Sequence, residues 1–169
     1  MIMTEILKRR SIRAYREKAI EREKLERILE AGRLAPTAKN TQGWRILVID
    51  DPELKKRLID ASSPHQSFLY EAGAILVACG TNPGYVMRCG QPAYPIDLAI
   101  VLDHISLQAV AEGLGTCWIG SFQEQPAKEV LGIPPEVRIV ELMSLGYPAE
   151  EPVPRPRKSA AELFSFNRW

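Results

Sequence analysis

Apolar and polar positions alternate along this chain in two rhythms, and each rhythm predicts a kind of element. Helical spacing of Leu25, Ile28, Leu29 and Ala31, with Glu and Arg on the other face, predicts a helix from Glu21. Gly32 weakens its end and Pro36 stops it. Apolar runs at Arg45–Asp50, Ala74–Cys79 and Val137–Leu145 predict strands, and Cys117–Ile119 a short strand or extended turn. Asp50 or Asp51 caps a helix with Pro52 in its first turn and Leu54, Leu58 and Ile59 facing inward. Ile96–Glu112 predicts the longest helix. It is apolar almost all round, as suits a central helix or one at a subunit interface, and Gly113 and Gly115 end it. Shorter helices are predicted from Thr4, as cap, to about Arg10, over Phe68–Ala72 and over Gln125–Leu131.

Between these elements, Ser11–Lys18 reads as an exposed connector and Thr37–Trp44 as a polar loop. Gly80–Pro95, with three Pro and three Gly, is loop. Past Tyr147 the character changes. Pro148, Pro152, Pro154 and Pro156 forbid regular structure to about Arg157, and an amphipathic piece, Ala160–Phe166, follows. The pattern predicts an α+β layered core over 1–148 and a Pro-rich arm over 149–169 laid on another surface.

The chain of 169 residues and 19.0 kDa suits one domain. At that size about 70% of the extended surface is buried on folding, enough for a core without metals or disulfides. Hydrophobic content of 46% and charged content of 25% exclude disordered and collagen-like classes. No apolar run reaches bilayer length, and the first ten residues have no signal-peptide pattern, so no membrane partner is expected. Three cysteines, Cys79, Cys89 and Cys117, without a Cys-x-x-Cys pair, predict no disulfide framework and a reducing, cytoplasmic compartment. The net charge of +1 hides two basic clusters. Lys8, Arg9, Arg10, Arg13 and Arg16 lie near the start, Arg155, Arg157 and Lys158 near the end, and no Lys or Arg falls between Cys89 and Ala127. That distribution suits a small anionic ligand and not a nucleic-acid track.

Gly113-Leu-Gly115-Thr-Cys-Trp-Ile-Gly120 has the wrong spacing, and follows the wrong element, for a dinucleotide fingerprint. P-loop, G-x-S-x-G and H-E-x-x-H motifs are absent, and His65 and His104 stand outside any catalytic or metal motif. Arg9-Arg10-Ser11-x-Arg13 gathers three guanidiniums and a hydroxyl, which either surround one phosphate or form a solvated basic turn. Pro36-Thr37-Ala38-Lys39-Asn40-Thr41-Gln42-Gly43-Trp44 is dense in amides and hydroxyls. These either read a heterocycle edge or cap their own backbone.

In order and spacing, Arg-Arg-Ser-x-Arg, a helix, Ala-Pro-Thr-Ala-x-Asn-x-Gln-x-Trp and a strand resemble the nitroreductase family of FMN-dependent oxidoreductases. Gly113–Phe122, Leu131-Gly-Ile-Pro134, Leu145-Gly-Tyr-Pro148 and the basic tail extend the resemblance from about Leu7 to Trp169. It implies an α/β sandwich with a mixed central sheet flanked by helices. It also implies a homodimer with FMN at the subunit interface, the long helix as dimer core, and the arm on the partner. By the same resemblance Arg9, Arg10, Ser11 and Arg13, joined by Arg155 and Arg157, hold the FMN phosphate. Pro36, Thr37, Ala38 and Asn40 reach the flavin from the partner subunit, with Gln42 and Trp44 in support. Cys117, Trp118, Ile119 and Gly120 lie on one flavin face, their backbone N–H groups toward N5 and O4.

The implied activity passes a hydride from NADH or NADPH, through flavin N5, to nitroaromatics, quinones or flavins by ping-pong kinetics, with no catalytic side chain or metal. Alternatives on the same scaffold are a flavin carrier or redox sensor and a reductive dehalogenase-like activity. A nucleotide-binding regulatory module would also use the arginines. Three departures from the family stand out: Gly43 where Pro often precedes the Trp, a short Gly80–Pro95 loop, and no Lys in His65-Gln66-Ser67-Phe68.

Overall fold

The computed structural model describes residues Met1–Trp169. In chain order the elements are α1 (Thr4–Lys8), α2 (Arg22–Arg33), a 3₁₀ turn (Ala38–Asn40), β1 (Trp44–Ile49), α3 (Pro52–Ser62), a second 3₁₀ turn (Ser67–Leu69), β2 (Ala74–Gly80), α4 (Ala93–Ala111), β3 (Gly115–Ile119), α5 (Glu124–Leu131), β4 (Arg138–Gly146) and α6 (Ala160–Leu163). The strands form one sheet in the order β1-β2-β4-β3.

Every ladder in this sheet is antiparallel, which corrects the expected mixed sheet. The register shows why: Ile49, the last residue of β1, faces Ile75 at the start of β2. The chain between them travels out along α3 and back along Ser63–Gly73, so β2 begins where β1 finished. The single parallel pairing is an isolated bridge between Ser11 and Thr116.

β2 is buried along its whole length, and its alternation divides the core. Ile75, Val77 and Cys79 meet Leu58 and Ile59 of α3 and Ala127 of α5. Leu76 and Ala78 meet Leu25 and Ile28 of α2 and Leu98, Val101 and Ile105 of α4. The result is two helices on each face of a four-stranded sheet. Helix ends follow local chemistry. Asp51 caps α3, its Oδ1 accepting from the Leu54 N–H at 2.7 Å. Gly132 ends α5 at φ 64°, a left-handed position that glycine takes without strain.

Several local expectations change. Met3, not Thr4, occupies the cap position of α1, with no side-chain bond. α4 begins at Ala93, so Pro95 falls in its first turn, where its missing N–H removes no helical bond. Gly115 starts β3 instead of ending α4. The helix expected at Phe68–Ala72 is only the Ser67–Leu69 turn. The Ser11–Lys18 connector is not uniformly exposed, because Ile12 and Tyr15 are each only 5% exposed. The Ile12 N–H donates to the Thr116 carbonyl at 3.0 Å, and the Tyr15 hydroxyl donates to the Ile12 carbonyl at 2.9 Å and meets Ser144 Oγ at 2.7 Å. This segment is therefore clamped to β3 and β4.

The chain exposes 10491 Å². A compact monomer of this mass exposes roughly 8,000 Å². Uncovered residues at the extended end, Val153, Phe164, Phe166 and Trp169, contribute to the excess. No helix is long and apolar enough to cross a membrane.

Candidate functional site

The two basic clusters meet. Arg9, Arg10, Ser11 and Arg13 line a cavity of about 370 Å³ together with Arg155 and Arg157. The clamp of Ile12 on Thr116 sets one wall, and the Pro-rich run after β4 sets the other. The Ala149 N–H donates to the Ala14 carbonyl at 2.9 Å, which turns that run back over the arginines. None of the five guanidiniums is in an ion pair with a carboxylate. Arg10 donates only to the carbonyls of Leu7 and Arg9, both at 2.8 Å. One carboxylate enters the cavity: Glu150, which accepts from the Arg13 backbone N–H. A cavity rimmed by unpaired guanidiniums, a hydroxyl and turn backbone has the donor set of a phosphate site.

β3 leads away from this cavity. Ser11 bridges Thr116 near its start, and Cys117, Trp118, Ile119 and Gly120 follow in order. Cys117 and Ile119 are buried, Trp118 is 36% exposed and Gly120 is exposed. Burial pushes the Cys117 thiol up, against the opposing pull of Arg13, so it stays protonated and makes a poor nucleophile. Beneath Gly120 lies Glu141 of β4, its Oε1 3.6 Å from where a Gly120 Cβ would stand. Glu141 has no hydrogen-bond partner, and burial raises its pKa.

The third group, Pro36–Gln42, lies elsewhere. Lys39, Asn40 and Gln42 adopt φ 54°, 54° and 50°, three left-handed non-glycine residues in four positions. Such clustering marks a loop whose shape is imposed from outside itself. Part of its polarity is turned inward: the Gln42 N–H donates to Thr37 Oγ1 at 3.1 Å, and the Gln42 amide donates to the Asn40 carbonyl at 3.2 Å. The outer anchor is Asp97 of α4, only 5% exposed, which accepts from the Ala38 N–H at 2.9 Å. Asp97 lies in the first turns of α4, whereas Val110, in its last turn, borders the groove beside the arginine cavity. Thirteen helical steps separate them, about 20 Å. Within one chain the loop and the arginine cavity therefore do not come together.

Sequence reading missed four participants: Asp97, Glu141, Glu150, and a hydrogen bond of 2.9 Å between His65 Nε2 and Ser121 Oγ. An acid flanked by apolar residues in the first turns of an apolar helix was the available signal for Asp97. The others depend on pairings that no local pattern encodes.

This combination, a helix-flanked antiparallel sheet with an arginine cavity opening beside one edge strand, belongs to a known class of redox enzymes. The model of the nitroreductase family matches residues 6–66 and 61–147. A Thermus thermophilus protein named NADH dehydrogenase is 34% identical over 185 residues, covering 91% of this chain and 90% of the relative. Among solved structures, a nitroreductase family protein from Clostridium novyi NT superposes with a TM-score of 0.80 at 36% identity, over 86% of this chain and 84% of the other. The NADPH:FMN oxidoreductase of Vibrio harveyi, solved with NAD+, gives 0.87 at 26% identity, over 98% and 76%. The chain belongs to the nitroreductase family of oxidoreductases.

Proposed function

We propose that this chain is an FMN-dependent oxidoreductase that takes a hydride from NADH or NADPH and delivers it to small oxidised acceptors such as nitroaromatics, quinones or free flavins. One observation carries the reading: the arginines of both chain ends converge, unpaired, on one cavity. When bound, FMN supplies the hydride-accepting and hydride-donating chemistry, in two half-reactions that share one site. Arg9, Arg10, Ser11, Arg13, Arg155 and Arg157 would hold its phosphate, and Cys117–Gly120 would lie along its ring.

The remaining contacts, from Pro36, Thr37, Ala38, Asn40 and Gln42, would come from a second copy, since in one chain the loop is anchored near the start of α4 while the groove beside the cavity lies at its end. Uncovered surface supports a homodimer. Ile96 is 43% exposed, and Ile100, Leu107 and Val110 on the same outer side of α4 remain partly open. The apolar residues of 149–169 have no cover in their own chain, which fits an arm laid on the partner.

The test begins with the visible absorbance of the purified protein after addition of FMN. Uptake of FMN and its bleaching by NADH or NADPH are expected, and a protein that takes up none refutes the proposal. Arg10→Ala with Arg13→Ala should weaken FMN binding by a factor of about 100 or more, since each charge-assisted phosphate contact is worth about 1.5–3 kcal/mol. Unchanged affinity would remove the phosphate assignment. Sedimentation of the FMN-loaded protein should give a dimer, and a loaded monomer contradicts the shared site.

A further inference from the structure

We propose that His65 and Ser121 form a proton-delivering pair for the acceptor, Ser121 touching it and His65 acting through Ser121 as the positioning and proton-supplying residue. The inference rests on the oxidoreductase reading above and adds to it the source of the proton.

The two residues are far apart in sequence and are brought together by the fold. His65 follows α3, and Ser121 stands one residue beyond Gly120, at the far end of the strand that starts at the arginine cavity. Their 2.9 Å bond is not a loose surface contact. The Gln123 N–H donates to the Ser62 carbonyl at 2.9 Å, and Phe122 packs against the core that includes α3. The two loops are thus fastened to each other beside the pair. Both side chains are exposed, so the imidazole exchanges protons with water. A serine hydroxyl alone is a weak acid, but an imidazole bonded to it replaces the proton it gives up.

Other charged groups on the surrounding elements leave this role to His65. On α3, Asp60 is held by Lys56 and by the Tyr70 hydroxyl, each at 2.6 Å. At the start of α5, Glu124 is held by Arg138 at 2.9 Å and Lys128 at 3.2 Å. Glu141 of β4, unpaired beneath Gly120, is the one competitor.

Reduction of a quinone to a hydroquinone consumes one hydride and one proton. The hydride, with both electrons, originates in NADH or NADPH, which leaves as NAD(P)+. Ser121 Oγ gives its proton to the quinone oxygen and takes the Nε2 proton of His65. Neutral His65 is then reprotonated by water.

The experiment compares wild type with His65→Gln, Ser121→Ala and Glu141→Gln, each loaded with FMN. Two acceptors are used: a benzoquinone, which needs a proton, and ferricyanide, which takes electrons without one. The ratio of quinone to ferricyanide rate should fall about a hundredfold in His65→Gln and Ser121→Ala. The quinone rate should depend less on pH in both variants than in wild type. Without FMN, the His65 ring resonances should move in Ser121→Ala, which removes the hydroxyl bonded to Nε2. An unchanged ratio in His65→Gln, a ratio that falls only in Glu141→Gln, or His65 ring resonances unmoved in Ser121→Ala overturns the proposal. Failure of wild type to take up FMN or to be bleached by NADH is a separate result. It refutes the functional reading itself, and this inference with it.

Discussion

Gly115→Ala tests whether the arginine segment is held by packing against β3. A Cβ at this position would lie 2.3 Å from Ile12 Cγ1, 3.0 Å from Ile12 Cβ and 3.1 Å from Pro148 Cγ. Ordinary carbon contacts are about 3.5–4.0 Å, so the nearest pair must separate by more than about 1 Å. Ile12 is nearly buried, and Pro148 closes the other side, so neither can swing away freely. Overpacking of this kind costs about 1–3 kcal/mol. Replacing a strand glycine returns only about 0.5–1 kcal/mol of backbone entropy, so the clash decides the sign. A net loss of about 1 kcal/mol should lower the melting temperature by about 2–4 °C in a chain of this length. FMN affinity should fall as well, because Ile12 lies between Ser11 and Arg13. The matched variant is Ile12→Ala, which alone costs about 2–5 kcal/mol. In the double variant the new methyl occupies part of the space left by Ile12, so the losses should fall short of additivity by about 1 kcal/mol or more. Denaturant unfolding of the four proteins, with FMN titrations, measures this. A Gly115→Ala protein as stable as wild type, or strictly additive losses, would refute the argument.

Other expectations follow from single contacts. Thiol labelling of the folded protein near pH 8 should modify one cysteine quickly, the exposed Cys89. Cys79, buried and pushed up to about 11, and Cys117 should react only on unfolding. Asp97→Ala removes the acceptor of the Ala38 N–H and should cost about 1–3 kcal/mol in urea unfolding, while Asp97→Asn, which keeps an acceptor oxygen, should cost less. The Glu21 carboxyl is held down at about 2, first by the Tyr147 hydroxyl and then by its own backbone and Lys18. Its folded-state value lies below the unfolded 4.5, so its contribution is complete above about pH 4.5 and disappears as pH falls toward 2. Glu21→Gln should therefore narrow the difference in urea midpoint between pH 6 and pH 2.5; an equal difference in both proteins would exclude this contact as an acid-sensitive one.

Elements with one dominant local cause were legible in the sequence. Asp51-Pro52 announces α3, and the apolar runs of β2 and β4 announce buried strands within a residue or so of their observed ends. What stayed hidden was set by tertiary pairing. Ser11–Lys18 has too few apolar residues to look buried, yet Ile12 and Tyr15 sit in the core because β3 accepts the Ile12 N–H and the Tyr15 hydroxyl meets Ser144 of β4. Strand direction was equally invisible, since a helix between two strands more often returns them parallel, and only the length of Ser63–Gly73 reverses β2. The site divided the same way. The arginines and the polar loop were visible as composition, whereas Asp97, Glu141 and the His65–Ser121 bond exist only through contacts between distant segments.

The near-neutral total charge takes its meaning from how the arginines are partnered. Arg22, Arg27, Arg33 and Arg138 each hold a carboxylate at 2.7–2.9 Å on the surface. Such exposed pairs add little stability, but they show that this chain readily supplies acids to its surface arginines. Around the cavity the pattern is reversed. Five guanidiniums face a single carboxylate, and Glu150 engages a backbone N–H instead of any of them. Their mutual repulsion is unfavourable in the free chain and is relieved by an anion. Because Ser11 bridges Thr116, an anion held there lies at the head of β3, and whatever extends from it along the strand reaches Gly120 and the His65–Ser121 pair about five residues, or roughly 17 Å, further on. One clamped strand thus joins the charge at the chain ends to the place where we expect the proton to be delivered.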